Sequence, residues 1–305
     1  MTQNVSAVIV TYNRLKLLKE VIESLQNQET PTAHIIVIDN DSEQDTKDYL
    51  ESLGSLIDYV RLPENIGGAG GFNAGIRYFM EHTTDDYVWL MDDDTVPQSN
   101  TLTELLDFAK TKNNFGFLAS DVRWTDGSKA LMNGVRPLND FKKMPENQDK
   151  PIKVQNATFV SLLMQRKVVK QIGLPIAEFF IWGDDIEYTD RASRVAPGYY
   201  VPSAKVTHKM GANIGSNILI DGPSRTPRYF YAYRNKVYYV RQRSLYKKVR
   251  SNVSMLVDEL KIKFSKTDRK QEKLAVFKKG IEAGKTFNPK IEFANDLKEK
   301  NPISN

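Results

Sequence analysis

Between Val5 and Val122, short apolar runs alternate with amphipathic ones. VSAVIVTY (Val5 to Tyr12) has the length and β-branched content of a buried strand. In LKLLKEVIESLQ the apolar residues Leu15, Leu18, Val21, Ile22 and Leu25 recur at helical spacing. HIIVIDN (His34 to Asn40) predicts a second buried strand, and Ser42 with Asp45 three residues later predicts an N-cap for the following helix. IDYVRL is a third strand, and GGFNAGIRYFMEH is expected to open as a glycine-rich turn and continue as a helix. DYVWLMDDD predicts a fourth strand ending on three carboxylates, and FGFLASDV (Phe115 to Val122) a fifth. This alternation implies an α/β fold with a mostly parallel central sheet covered on both faces. Ligands bind such folds beyond the carboxyl ends of the strands. Thr11 to Arg14, Asp39 to Asp41, Asn65 and Asp92 to Asp94 all fall at those ends.

Past the fifth strand the pattern loosens. Thr125 to Lys153 is polar and is expected to be an insertion or loop, whereas ATFVSLLMQ returns to buried-strand character. RYFYAYRNKVYYVRQRSLYKKVR predicts one helix, with more helical text to about Ala283. The expected organisation is a catalytic α/β domain over residues 1–211 and a helical, basic C-terminal region over 212–305. The chain of 305 residues carries 40% hydrophobic residues and a net charge of +5. From Arg241 to Lys279 basic residues outnumber acidic ones by about three to one. That imbalance suggests an anionic partner: nucleic acid or an anionic membrane surface. There is no cysteine, which excludes disulfides and thiolate metal sites and fits a reducing cytoplasm. The N-terminus lacks the pattern of a signal peptide, and no apolar stretch approaches the length of a membrane span. A cytoplasmic protein is expected, resting at most on the inner face of the membrane.

MDDDT (Met91 to Thr95) is the strongest chemical signal. Three adjacent carboxylates at a strand end repel one another unless a cation compensates, and hard oxygen ligands suit Mg²⁺ or Mn²⁺. Residues i and i+2 of an extended segment point the same way, so Asp92 and Asp94 can share a task while Asp93 points elsewhere. NIGGAGGFNAG (Asn65 to Gly75) fails the dinucleotide fingerprint, because Asn73 stands where a third glycine is required. AGKT, ending at Thr286, fails as a P-loop because Lys279 replaces the leading glycine. FFIWGDDIEYTDRASR places Asp184 and Asp185 at a helix start, where either could be a general base for a hydroxyl or a simple cap. His34 and His82 sit at element ends as structural or exposed residues. His208 follows a strand and could ligate a metal.

TYNR, VIDNDS, NIGGAGGFNAG, VWLMDDD and WGDDIEY, in this order, resemble the inverting family 2 glycosyltransferases of GT-A fold, over about two thirds of the chain. WGDDIEY, His208 and YAYRNK look most like the galactofuranosyltransferases and their rhamnosyltransferase-like relatives. There the related element usually reads W-D-D-x-E-Y, and here Gly183 is interposed; anchoring on D-D-x-E-Y makes Asp185 the base and Asp184 its understudy. The resemblance further implies that Thr11, Arg14 and Asp39 hold the nucleoside, with Asn65 nearby. Gly67, Gly68 and Gly71 would let a loop approach the donor. Asp92 and Asp94 would anchor a divalent metal (Mn²⁺ or Mg²⁺) with His208, Asp93 would face the sugar, and Trp182 would stack on the acceptor. It implies a nucleotide-sugar donor, UDP-galactofuranose first and dTDP-rhamnose second, and a glycan acceptor, lipid-linked by hypothesis. The competing readings are a non-catalytic nucleotide-sugar binder and a nucleic-acid binder using the basic, tyrosine-rich C-terminal region. The intact metal and base candidates oppose the first. The helical spacing of the tyrosines, which suits packing on the catalytic domain, opposes the second.

Overall fold

The computed structural model describes residues 4–112, 114–138 and 148–300. Strands β1 (Val5–Thr11), β2 (His34–Asp39), β3 (Asp58–Arg61) and β4 (Tyr87–Asp92) alternate with helices α1 (Leu15–Gln26), α2 (Gln44–Ser52) and α3 (Gly67–His82). After β4 come β5 (Thr95–Pro97), α4 (Thr101–Lys110), β6 (Phe117–Arg123), β7 (Arg136–Pro137), β8 (Ile152–Asn156) and β9 (Leu162–Gln165). Helix α5 (Arg166–Ile172), α6 (Asp184–Val195) and β10 (Gly198–His208) complete the sheet region. The chain then turns helical: α7 (Arg228–Arg241), α8 (Leu245–Phe264), α9 (Lys270–Thr286) and the short α10 (Leu297–Lys300).

One sheet holds the strands in the order β3-β2-β1-β4-β9-β6-β10-β8-β7, with β5 pairing β10. The first four strands are mutually parallel, as their continuous apolar runs require when both faces are covered. Strand β9 runs antiparallel to both β4 and β6, so the sheet is mixed outside its parallel core. Alternate residues of β1 serve opposite layers. Val8 and Val10 pack under α3 with Phe72, Ile76 and Phe79, while Ala7 and Ile9 pack with Leu18, Val21 and Leu25 of α1. Residues 139–147 of the expected polar insertion lie outside the described residues, and the remainder of it forms β7 and the start of β8.

Four local expectations need correction. Ser42 does not cap α2; Glu43 occupies the cap position, and the Ser42 hydroxyl instead accepts a hydrogen bond from the Asn13 N–H (3.0 Å). Leu15 is only half-buried, at the end of the helix where the apolar face meets solvent. The helix expected from Arg228 to Arg250 breaks between Arg241 and Leu245, giving α7 and α8 separate directions. The glycine-rich stretch is not a loop: α3 begins at Gly67, so Gly68 and Gly71 are helical. A Cβ at Gly71 would collide with Val10, and one at Gly75 with Val8, which is the physical reason for those glycines: they let α3 lie close on the sheet. Gly68 alone faces open space at the start of the helix. Gly71→Val should therefore cost about 1–3 kcal/mol of stability by overpacking, read as a lower urea midpoint. Gly68→Ala, with room for its methyl, should leave that midpoint unchanged.

Candidate active site

The parallel core delivers its acidic residues to one edge by register. Val10 pairs Asp92 across β1 and β4, so the end of β1 stands beside the carboxylate cluster. Beyond Asp92 the chain turns through Asp93 and Asp94 into β5, which runs antiparallel to β10 with Thr95 opposite His208. That ladder brings His208 onto Asp94 although 114 residues separate them (Nε2 to Oδ1, 2.8 Å). Ligand atoms of Asp92, Asp94 and His208 all lie within 4.8 Å of one another, among the described residues.

Whether this set suits a divalent cation turns on the second nitrogen of the imidazole. His208 Nδ1 lies 2.7 Å from Asn133 Oδ1. If a cation replaced the Nε2 proton now shared with Asp94, an Nδ1–H donating to that carbonyl would keep the Nε2 lone pair aimed at the ion, the outer-sphere arrangement that orients a metal-binding histidine. Two carboxylates and one neutral imidazole are a donor set for a divalent ion.

The electrostatics of the cluster point the same way. Desolvation pushes the Asp92 carboxyl up to about 6, with the Asp94 charge adding to it. Burial pushes Asp93 up to about 7 against the pull of Arg14. Burial also works against the charge on Asp94, but the hydrogen bond from His208 and the charges of His208 and Arg14 outweigh it and hold that carboxyl below its usual range. The reciprocal effect appears on His208, where burial is outweighed by Asp94 and the imidazole rises. Arg14 reaches Asp94 at 2.5 Å and Asp93 at 3.3 Å. Three crowded carboxylates thus rely on one guanidinium and one imidazole, and additional positive charge would relieve them.

Asp93 is held from three sides. Its carboxylate accepts from the Thr11 hydroxyl (2.8 Å), the Tyr12 N–H (3.3 Å) and Arg14. Thr11, almost wholly buried, therefore orients Asp93. Asp39 is wholly buried and engaged on both oxygens, by the Ser42 N–H, the Tyr59 hydroxyl and Arg61. A nucleoside contact through Asp39 would have to compete with those partners. Asn65 accepts from the Gly67 N–H (2.9 Å) and shapes the entry to α3.

The second pair of carboxylates enters from α6. Trp182 (φ 62°) and Gly183 (φ 91°) both adopt left-handed backbone, as does Phe180 (φ 63°), and each non-glycine case costs roughly 1–3 kcal/mol unless its surroundings enforce it. The enforcing group is Asn235 of α7. Fully buried, its amide donates to the carbonyls of Phe179 (3.0 Å), Ile181 (3.2 Å) and Trp182 (2.8 Å). Arg243, just past α7, adds an ion pair to Asp190 of α6 (2.5 Å).

So held, Asp184 and Asp185 occupy the first turn of α6. Burial and its neighbour Asp185 raise Asp184 well above the carboxylate range. Burial pushes Asp185 up to about 6; the Ile186 N–H opposes the rise and the charge of Asp92 adds to it. Both α6 carboxylates feel Asp92, so the two acidic motifs face each other. Asp185 and Trp182 also line a cavity of about 460 Å³, together with Arg136, Lys236, Tyr239 and Asp258. Asp184 is not among its lining residues.

Several residues of this site carry no readable signal in the sequence. Asn133 lies in the stretch expected to be an insertion, and Arg228 near the start of an expected helix. Burial and the charges of Arg225 and Arg14 lower the Arg228 guanidinium, so Arg228 lies within electrostatic reach of Arg14. Asn235 and Lys236 fall in YAYRNK, a segment marked by resemblance without any role attached.

Comparison with known proteins shows the family and the fold. The profile of glycosyl transferase family 2 matches residues 6–173. Galactofuranosyltransferase GlfT1 of Mycolicibacterium smegmatis is 26% identical over 261 residues, covering 81% of this chain and 86% of that protein. Among solved structures, GalNAc-T7 with UDP, GalNAc and Mn²⁺ superposes with a TM-score of 0.64 at 14% identity, over 92% of this chain and 56% of that one. The Pyrobaculum calidifontis mannosyltransferase PcManGT, with GDP-Man and Mn²⁺, gives a TM-score of 0.53 at 16% identity, over 94% and 76%. These two likenesses establish the shared fold.

The Asn235 clamp yields a direct expectation. Asn235→Ala strands three carbonyls that the amide now satisfies and should lower stability by about 1–3 kcal/mol, measured by urea unfolding. Asn235→Asp, which presents acceptors to acceptors, should cost more.

Proposed function

The chain belongs to glycosyl transferase family 2, and on that premise we propose that it transfers galactofuranose from UDP-galactofuranose to a hydroxyl of a glycan acceptor, inverting the anomeric centre. The observation that carries the reading is the meeting, at one sheet edge, of Asp92, Asp94 and His208 with the paired carboxylates of α6. The similarity to a galactofuranosyltransferase over most of both chains supports the choice of sugar.

In this reading Asp92, Asp94 and His208 hold a divalent ion, Mn²⁺ or Mg²⁺. The bound ion supplies charge neutralisation to the departing diphosphate. Arg14 adds positive charge on the same side, and Asp93, fixed by Thr11 and the Tyr12 N–H, faces the donor sugar. The acceptor lies in the cavity beside Trp182, whose indole meets the Tyr229 ring edge-on and leaves a flat apolar wall for a sugar face. Asp185 takes the proton of the acceptor hydroxyl. The acceptor oxygen then bonds to the anomeric carbon as that carbon's bond to the diphosphate oxygen breaks, and the nucleoside diphosphate leaves with the electron pair. Burial and the charge of Asp185 raise Asp184, which is not among the residues lining the cavity, so Asp185 is the carboxylate that meets the acceptor.

Calorimetric titration with UDP and with dTDP, each with Mn²⁺ and with EDTA, tests the donor half. UDP binding that needs the metal and disappears in Asp94→Asn and in His208→Ala is expected. Preference for dTDP would shift the donor to a deoxythymidine-linked sugar such as rhamnose, and no binding to either by the folded protein would sink the proposal.

The base has its own signature. Asp185→Asn should lower kcat about 10²–10⁴-fold while UDP affinity holds. A base works when deprotonated, so kcat/KM should rise with pH through an acidic limb near 6 and then level off. Persistence of that limb in Asp185→Asn would assign the base elsewhere.

A further inference from the structure

Helix α8 presents two opposite faces of different character. Its inner side packs Met255 and Ile262 against Tyr229, Tyr233 and Phe277, and turns Asp258 toward the Tyr233 hydroxyl and the acceptor cavity. Its outer side carries Val249, Val253, Leu256, Val257, Leu260 and Phe264, every one of them exposed, Phe264 at 81%. At 100° per residue these six fall within a stripe of about 100°. Isolated exposed apolar residues need no explanation, but a continuous stripe about four turns long marks a surface that is covered in use.

Charge indicates what covers it. Between Leu245 and Lys266 the chain carries six Lys and Arg against two acidic residues. Of those two, Glu259 is paired with Lys263 (2.8 Å) and Asp258 points inward. Helical spacing sets Arg250 and Lys261 along one border of the stripe and the Lys263–Glu259 pair along the other. At the C-terminal end of α8 the chain adds another apolar side chain. Leu219 accepts hydrogen bonds there from Thr267 and Lys273, and the adjoining Ile220 is exposed. An apolar stripe bordered by cations is the design of a helix lying in a lipid interface, its apolar side among the acyl chains and its cations on the headgroups. No helix among the described residues is long and apolar enough to cross a membrane.

We propose that α8 docks this protein on an anionic bilayer surface by its outer face, holding the acceptor cavity roughly one helix diameter (about 10 Å) above the headgroups. An acceptor glycan whose lipid anchor stays in that bilayer would then reach Trp182 and Asp185. This last step rests on the transferase reading; the docking does not.

The test is co-sedimentation of the full chain with vesicles of phosphatidylcholine alone and of phosphatidylcholine mixed with phosphatidylglycerol. Binding to the anionic vesicles, weakened by salt and lowered about tenfold or more in the triple variant Leu256→Ser, Leu260→Ser, Phe264→Ser, is expected. These positions are exposed, so the variant should keep the wild-type melting temperature and UDP affinity. Equal binding by wild type and variant, or none by the wild type, would overturn the docking. So would a concentration-dependent dimer, seen by analytical ultracentrifugation and abolished by the same substitutions without vesicle binding. Loss of UDP binding in the wild type would instead sink the transferase reading and leave the vesicle result to stand alone.

Discussion

Five carboxylates, those of Asp92, Asp93, Asp94, Asp184 and Asp185, are packed at one end of a sheet where water is largely excluded. Taking like charges out of water together is costly, and much of the surrounding structure answers that cost. Arg14 and His208 bind the first cluster directly, Thr11 and the Tyr12 N–H support Asp93, and the Ile186 N–H supports Asp185. The residual shifts, upward on Asp92, Asp93, Asp184 and Asp185, measure how much compensation the protein alone leaves undone. A divalent cation and a site for proton transfer are the two ways such a cluster can be put to use.

The two halves of the site depend on different parts of the chain. Sheet register places the cluster of Asp92 to Asp94, through β1 beside β4 and through β5 against β10. The α6 carboxylates depend on a loop in left-handed backbone that would relax without Asn235. The helices after β10 are thus part of the site: α7 fixes the loop carrying Trp182, and α8 closes the cavity wall with Asp258. On the docking proposed for the outward stripe of α8, that same helix would both orient the protein on a surface and close the acceptor cavity.

The residues expected at the nucleoside also have partners within the protein. Thr11 and Asp39 lie at the strand ends, as expected, yet their side chains are bonded within the protein. The glycines after Asn65 also turned out to serve packing. Gly71 and Gly75 have no side chain because Val10 and Val8 occupy that space, which draws α3 onto the sheet and its N-terminus toward the carboxylates.

Periodicity alone determined the alternating strands and helices to β4, and the strand β6, because a buried parallel strand must be apolar throughout and a covering helix apolar on one side; β5 and α4 between them went unread. The same logic put Asp92 to Asp94 at a strand end and Asp184 and Asp185 at a helix start, and the order of motifs tied them to one family. It could not separate α7 from α8, since the break at Gln242 to Ser244 lacks proline or glycine and amphipathic text runs through it. Nor could it show that the glycine-rich run is helical, because glycine's poor helix propensity is overridden there by close packing on β1. Tertiary structure alone decided that His208 meets Asp94, that Asn133 meets its other ring nitrogen, and that Asn235 holds the loop of Trp182. Each of these contacts joins residues more than 50 positions apart through strand register or helix docking, and local sequence carries no record of such distances. The stripe on α8 divides in the same way: its apolar spacing is written in the sequence, but only the packed structure shows that this face turns outward.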